Sequence, residues 1–80
     1  MKRTLFFAPA AVLALRTFDR QLVRQILAAI DALRDNPDTL TISADRLDPS
    51  VFGLTVSGDV TIWFEILDEQ HAIRVLSIEE

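Results

Sequence analysis

The sequence has no cysteine, so it can form neither a disulfide framework nor a thiolate metal site; this argues against a small secreted, stapled fold and for a cytosolic address. Histidine occurs once, as His71 in a polar turn beside Gln70, and no second ligand accompanies it, which leaves a zinc site or an acid/base role without support. No stretch approaches the roughly 18 uninterrupted apolar residues of a membrane span, so no membrane partner is expected. Positive charge is scarce in the second half. From Asn36 onward only Arg46 and Arg74 oppose Asp38, Asp45, Asp48, Asp59, Glu65, Asp68, Glu69, Glu79 and Glu80, a segment charge of −7.

What is present is an ordinary globular composition: 80 residues, 50% apolar and 25% charged, which excludes a disordered chain, a collagen-like repeat and a multi-domain enzyme. A single domain spanning residues 1–80 is expected. A chain of this size hides roughly 60–65% of the surface that its unfolded form exposes, enough for one small core and a shallow site but not for a deep cofactor cavity. No cofactor is therefore expected. Up to Asp35 the charge is +3, because Lys2, Arg3, Arg16, Arg20, Arg24 and Arg34 outnumber Asp19, Asp31 and Asp35. The total of −4 thus conceals a basic front joined to an acidic back. Tight non-specific nucleic-acid binding draws most of its affinity from clustered Lys and Arg on phosphates, and only the front has such residues.

Thr4 to Leu15 is almost wholly apolar and follows Lys2 and Arg3, a pattern shared with secretory signals. A run of about 12 is short for such a segment, and Pro9 interrupts it. The preferred reading is a strand, Lys2 to Phe7, followed by a helix starting near Pro9, where a missing N–H and a fixed φ suit the first helical turn. From Asp19 to Asp35, Leu22, Val23, Ile26, Leu27, Ile30 and Leu33 recur at spacings of three and four, which places them on one helix face. Thr17 or Asp19 is positioned to cap this helix, and Asn36-Pro37 ends it. The two helices form an antiparallel hairpin joined around Arg16 to Phe18.

Thr39 to Ser50 reads as an irregular connection with a short strand at Leu40 to Ile42. Val51 to Val56, Val60 to Leu67 and Ala72 to Ile78 are rich in β-branched and aromatic residues and are separated by turn sequences, Ser57-Gly58-Asp59 and Asp68 to His71. They form an antiparallel meander, giving an α+β domain of order β-α-α-β-β-β. The middle strand is apolar on both faces, as expected if the helical hairpin covers one face and loops or a partner cover the other.

This order, and several of the residues that carry it, resembles the RelE/ParE toxin superfamily. Phe7, Pro9 and Ala10 stand where its first helix starts. Asp19 stands at its turn, Arg24, Ile26 and Leu27 in its second helix, and Leu33-Arg34-Asp35-Asn36-Pro37 at that helix's end. Leu54-Thr55-Val56-Ser57-Gly58-Asp59-Val60-Thr61-Ile62-Trp63-Phe64-Glu65-Ile66 is similar to the family's central hairpin, and Ile73 to Ile78 to its closing strand. The resemblance covers most of the chain. It implies one half of a type II toxin–antitoxin pair of the plasmid-stabilising bacterial kind, neutralised by an antitoxin that wraps over it. Some members cleave messenger RNA on the ribosome and others poison DNA gyrase.

The departures from the family pattern concern catalysis. The positions of its strand arginines fall on Thr55 and Thr61, its tyrosines fall on Val60 and near Phe64, and its basic or aromatic ending is replaced by Glu79 and Glu80. A threonine hydroxyl has neither the permanent charge nor the forked donors of guanidinium, and phenylalanine has no proton to give. Loss of one oxyanion-type donor commonly costs about 10²–10³ in rate, so several losses at one site imply a toxin-like scaffold that binds protein without ribonuclease chemistry. The alternatives are a ribosome-dependent messenger endonuclease and a non-catalytic homodimeric interaction module.

The candidate partner-binding residues are Arg16, Arg20, Arg24, Trp63 and Glu65. Arg16, Arg20 and Arg24 recur every fourth residue, but the helix break near Thr17 separates Arg16, leaving Arg20 and Arg24 as the true stripe. These arginines form either a solvated face or a recognition surface. Trp63 is either a core residue or a contact for an antitoxin or a second copy. Glu65 belongs to an acidic group with Asp68, Glu69, Glu79 and Glu80, which serves solubility or docks basic antitoxin residues.

Overall fold

The computed structural model describes residues 2–35, 43–44 and 50–80. The chain runs β1 (Thr4–Phe7), α1 (Pro9–Thr17), α2 (Arg20–Asp35), β2 (Ser43–Ala44), β3 (Val51–Val56), β4 (Val60–Leu67) and β5 (Ala72–Glu79), with a 3₁₀ turn at Asp68–Gln70. The strands form one mixed sheet in the order β1-β5-β4-β3-β2. β1 lies parallel to β5, and the other three pairings are antiparallel. The expected helical hairpin and meander are present. The first strand begins at Thr4 rather than Lys2, and the last extends to Glu79. A two-residue edge strand, Ser43–Ala44, pairs with Gly53 and Phe52. The strand expected at Leu40–Ile42, the helix stop at Asn36-Pro37, Arg46 and Asp48-Pro49 lie outside the described residues.

Helix boundaries follow from local chemistry. Pro9 opens α1, where its missing N–H costs no hydrogen bond. Of the two candidate caps for α2, Asp19 is the one used: its Oδ1 accepts from the Leu22 N–H at 2.9 Å, satisfying one of the orphan donors of the first turn. The Thr17 hydroxyl instead donates back to the Ala14 carbonyl at 2.8 Å. Asp19→Ala is therefore expected to lower stability by about 1 kcal/mol, whereas Thr17→Ala changes it little. Urea denaturation of the two variants checks this ranking, and equal midpoints would contradict the cap assignment.

The core lies between the helices and one face of the sheet. Alternation along β4 turns Val60, Ile62 and Phe64 toward the helices, where each is at most 1% exposed. Ile73, Val75 and Ile78 of β5 join them, with Ala11 from α1 and Ile26, Ile30 and Leu33 from α2. The spacing in β5 departs from strict alternation because the register shifts by one residue: Trp63 faces Ser77, yet Phe64 faces Val75. Leu76 is the extra residue of this bulge, and it returns Ile78 to the helix side. In the β3–β4 turn, Ser57 and Gly58 both have positive φ, at 59° and 78°, a backbone that matches the twist of a hairpin.

The start of β1 is tied to the end of α2. The Arg3 N–H donates to the Arg34 carbonyl at 3.0 Å, and Arg34 Nε donates to the Arg3 carbonyl at 2.9 Å. Beside this clasp, Lys2 Nζ lies 2.8 Å from Asp31 Oδ2, and Arg34 adds a longer contact of 3.8 Å. The Lys2 hydrogen bond, opposed by desolvation and aided by the positive charges of Lys2 and Arg34, holds the Asp31 carboxyl below its ordinary value. A lowered folded-state pKa gives stability that is present above the unfolded carboxyl value and lost as pH falls through the folded one. Between pH 5 and 3 the parent should therefore lose more stability than Asp31→Asn. Acid titration of the urea midpoint tests this, and superimposable curves would contradict it.

Candidate partner-binding face

The sheet face turned away from the helices is built from the alternate residues of each strand. Strand register arranges them in rows. Thr55 of β3 lies opposite Thr61 of β4, which lies opposite Glu79 of β5. The next row places Gly53 opposite Trp63 and Trp63 opposite Ser77. A further row runs Val51, Glu65, Arg74 and Phe6. The three positions expected from the resemblance at Thr55, Thr61 and Glu79 are thus neighbours on one surface, although they are distant in sequence.

Trp63 is not a core residue. It lies on this open face, partly exposed, with its ring over Gly53: a Cβ added to that glycine would stand 2.8 Å from Trp63 Cζ3. Phe64, expected near an aromatic position of the site, points the other way and is fully buried. Val60 is likewise a core residue, 1% exposed. The cause is the period-two alternation of β4, which lets only one of two adjacent aromatics face outward. The outward aromatic is Trp63.

Glu65 is not a free acid. Arg74 Nη1, from the residue directly opposite on β5, donates to Glu65 Oε1 at 2.8 Å. The one described arginine on this face is therefore already engaged by a carboxylate, and the row Thr55–Thr61–Glu79 contributes hydroxyls and one negative charge. Glu79 and Glu80 are both exposed. Asp68, at the start of the 3₁₀ turn, pairs with Arg3 Nη2 at 3.1 Å.

His71 occupies the left-handed region at φ 50°, closing the 3₁₀ turn with its N–H on the Asp68 carbonyl. Its own carbonyl accepts from the Thr4 N–H at 2.9 Å, so the residue links the turn to β1 through its backbone. Among the described residues, no group of three or more His, Asp or Glu side chains is placed to hold a metal ion. No described helix is long and apolar enough to cross a membrane. Arg16, Arg20 and Arg24 are exposed on the helical layer. The candidates thus form two groups on opposite sides of the sheet, with Trp63 and Glu65 on one side and the three arginines on the other.

Comparison of the whole chain with solved structures gives close agreement at low sequence identity. A chain of the RelBE2 toxin–antitoxin complex from Mycobacterium tuberculosis superposes with a TM-score of 0.85 at 17% identity, over 100% of this chain and 99% of that one. The fold is that of the RelE toxins. A chain of the intact Escherichia coli RelBE toxin–antitoxin complex gives 0.81 at 16% identity, covering 98% of this chain and 95% of that one. The archaeal RelE–RelB complex of Pyrococcus horikoshii gives 0.75 at 16% identity, over 99% and 94%. No family model matches the sequence, and no curated protein matches it significantly. The RelE fold explains why Thr55, Thr61 and Glu79 meet: its antiparallel meander sets these positions side by side.

Proposed function

We propose that this chain is the toxin-like half of a type II toxin–antitoxin pair, acting in the cytosol by binding protein and without ribonuclease chemistry of its own. The observation that carries the second part is the row Thr55–Thr61–Glu79. Cleavage through a 2′-hydroxyl requires a proton acceptor, a cationic or forked donor set for the charge growing on the phosphoryl oxygens, and a proton donor for the leaving oxygen. Two threonines and a glutamate supply no cation, and Arg74 is held by Glu65. The exposed carboxylates of Glu79 and Glu80 repel a phosphate backbone.

An antitoxin partner is supported by the RelE fold and by the complexes in which similar chains occur, which join RelE to RelB. Trp63, presented on an open sheet face, is the natural anchor for such a contact, because desolvated tryptophans dominate many interfaces. The test is induced expression in a bacterial host, alone and together with the product of the adjacent reading frame. The expected result is intact messenger RNA, with stable co-purification of the two products and loss of that complex in Trp63→Ala. Cleaved messages would overturn the claim of no chemistry and restore the ribosome-dependent endonuclease. Growth arrest with intact messages and entangled DNA would point to gyrase as the target. Absence of any complex, with a concentration-dependent dimer in sedimentation, would replace the antitoxin reading by a homodimeric interaction module.

A further inference from the structure

Seven cationic side chains fall among the described residues, and they divide cleanly. Lys2 and Arg34 contact Asp31, Arg3 contacts Asp68, and Arg74 contacts Glu65. Arg16, Arg20 and Arg24 have no ion-pair or hydrogen-bond partner among the described residues. All three are on the helical hairpin. The exposed large apolar side chains among the described residues divide in the same way: Leu13 (60%), Leu27 (44%) and Val12 (38%) belong to the hairpin, and Phe6 alone of them lies elsewhere.

Helical phase places these six residues on one side. Ala11 is the buried residue of α1, and Val12, Leu13 and Arg16 lie away from it. Ile26, Ile30 and Leu33 define the inward face of α2, whereas Arg20, Arg24 and Leu27 follow one another at i, i+4 and i+7 on the opposite face. With a rise of 1.5 Å per residue, that stripe is about 10 Å long. Free guanidinium charge and uncovered aliphatic surface therefore coincide on the solvent side of the helical layer, remote from the open sheet face.

We infer that the outer face of the helical hairpin docks an acidic amphipathic helix of a partner protein, with Arg16, Arg20 and Arg24 meeting its carboxylates and Val12, Leu13 and Leu27 its apolar side. Charge complementarity selects the occupant. A carboxylate-bearing helix offers acids at the four-residue spacing of Arg20 and Arg24, and leucines one turn away to cover Leu27. Single-stranded nucleic acid would require aromatic platforms for its bases, and this face has only aliphatic side chains. A lipid surface favours Trp or Phe at the headgroup boundary, and here the described Trp and Phe side chains lie elsewhere. The surface is separate from the sheet face assigned to the antitoxin, so the inference stands or falls independently of that reading.

The test is fluorescence anisotropy of the full chain with a labelled synthetic helical peptide of about 18 residues, bearing glutamates and leucines at i, i+4 and i+7 spacing. Saturable binding that weakens as salt is raised is expected. Arg20→Glu with Arg24→Glu should lower affinity at least about tenfold, the scale of losing an interfacial arginine contact, and a peptide with lysines in place of its glutamates should bind this double variant but not the parent. Leu13→Ser, a substitution at the most exposed of the apolar sites, should weaken binding with an unchanged thermal melt. Absence of saturable binding, or equal affinity for parent and double variant, would overturn the inference. So would arginine-dependent binding of single-stranded RNA or of anionic phosphatidylserine vesicles in place of the peptide.

Discussion

Phe64→Ala is expected to destabilise the domain by about 3–5 kcal/mol, the range for removing a buried aromatic ring from a packed core. Phe64 is fully buried at the centre of β4, between Phe52 of β3 and Val75 of β5. Its ring centroid is 6.0 Å from that of Phe52 at a tilt of 32°, a contact that adds to the area it buries. No small shift of one helix can close the resulting hole, since both flanking strands are fixed by their ladders. Single domains are stable by about 5–15 kcal/mol, and small cores fall at the low end. The variant should therefore be largely unfolded at 37 °C, as read by far-UV circular dichroism and by a urea midpoint near zero. Retention of most of the parent's stability would show that the ring is not the keystone of this core. The contrasting substitution is Glu65→Ala next to it in sequence. That change removes only a half-exposed ion pair with Arg74 and should cost less than 1 kcal/mol.

The contrast between these adjacent residues also shows how far the sequence could be read. The second helix was legible because Leu22, Val23, Ile26, Leu27, Ile30 and Leu33 repeat at helical spacing, and the strand boundaries of β3 and β4 because turn residues bracket β-branched runs. Leu27, expected on the same face, is exposed on the outer side, because it lies about 100° round the helix from Ile26. Inward and outward positions of β4 were harder, since Ile62, Trp63 and Phe64 are consecutive and all apolar. The signal that separates them is weak but present: Val60, Ile62, Phe64 and Ile66 alternate with Thr61, Trp63 and Glu65, so only the odd positions include polar residues. That alternation would have placed Trp63 outside and Phe64 inside. The β5 bulge was not legible, because an extra residue in one strand is defined only by its partner's register. Nor was the engagement of Glu65 by Arg74, a pairing across strands that composition counts as two independent charges. The resemblance pointed to Thr55, Thr61 and Glu79, and the register gave them their common row.

Gly53→Ala is expected to displace the sole tryptophan. An alanine Cβ at this position would lie 2.8 Å from Trp63 Cζ3, so close that the ring must shift, and 3.1 Å from Cε3 and 3.2 Å from the Thr61 Cγ2, tighter than ordinary contacts. Two effects compete. Alanine in a strand interior gains about 0.5–1 kcal/mol over glycine through the unfolded chain, whereas forcing one carbon into an occupied space costs about 1–3 kcal/mol. The clash is the larger, so a net loss of about 1–2 kcal/mol is expected. Because one side of Trp63 is open to solvent, the indole can yield by swinging outward more easily than two laddered strands can separate. Tryptophan emission should therefore shift to the red while far-UV circular dichroism keeps its native shape. Under the proposed function this displacement has a second consequence, since an anchor held in one orientation by its glycine seat loses no rotamer freedom when a partner covers it. Gly53→Ala should consequently weaken the antitoxin complex through faster dissociation, although residue 53 itself presents no side chain to the partner. Unchanged emission together with a raised melting temperature would show that the indole does not rest on Gly53, and would remove the reason for treating Trp63 as a preset contact.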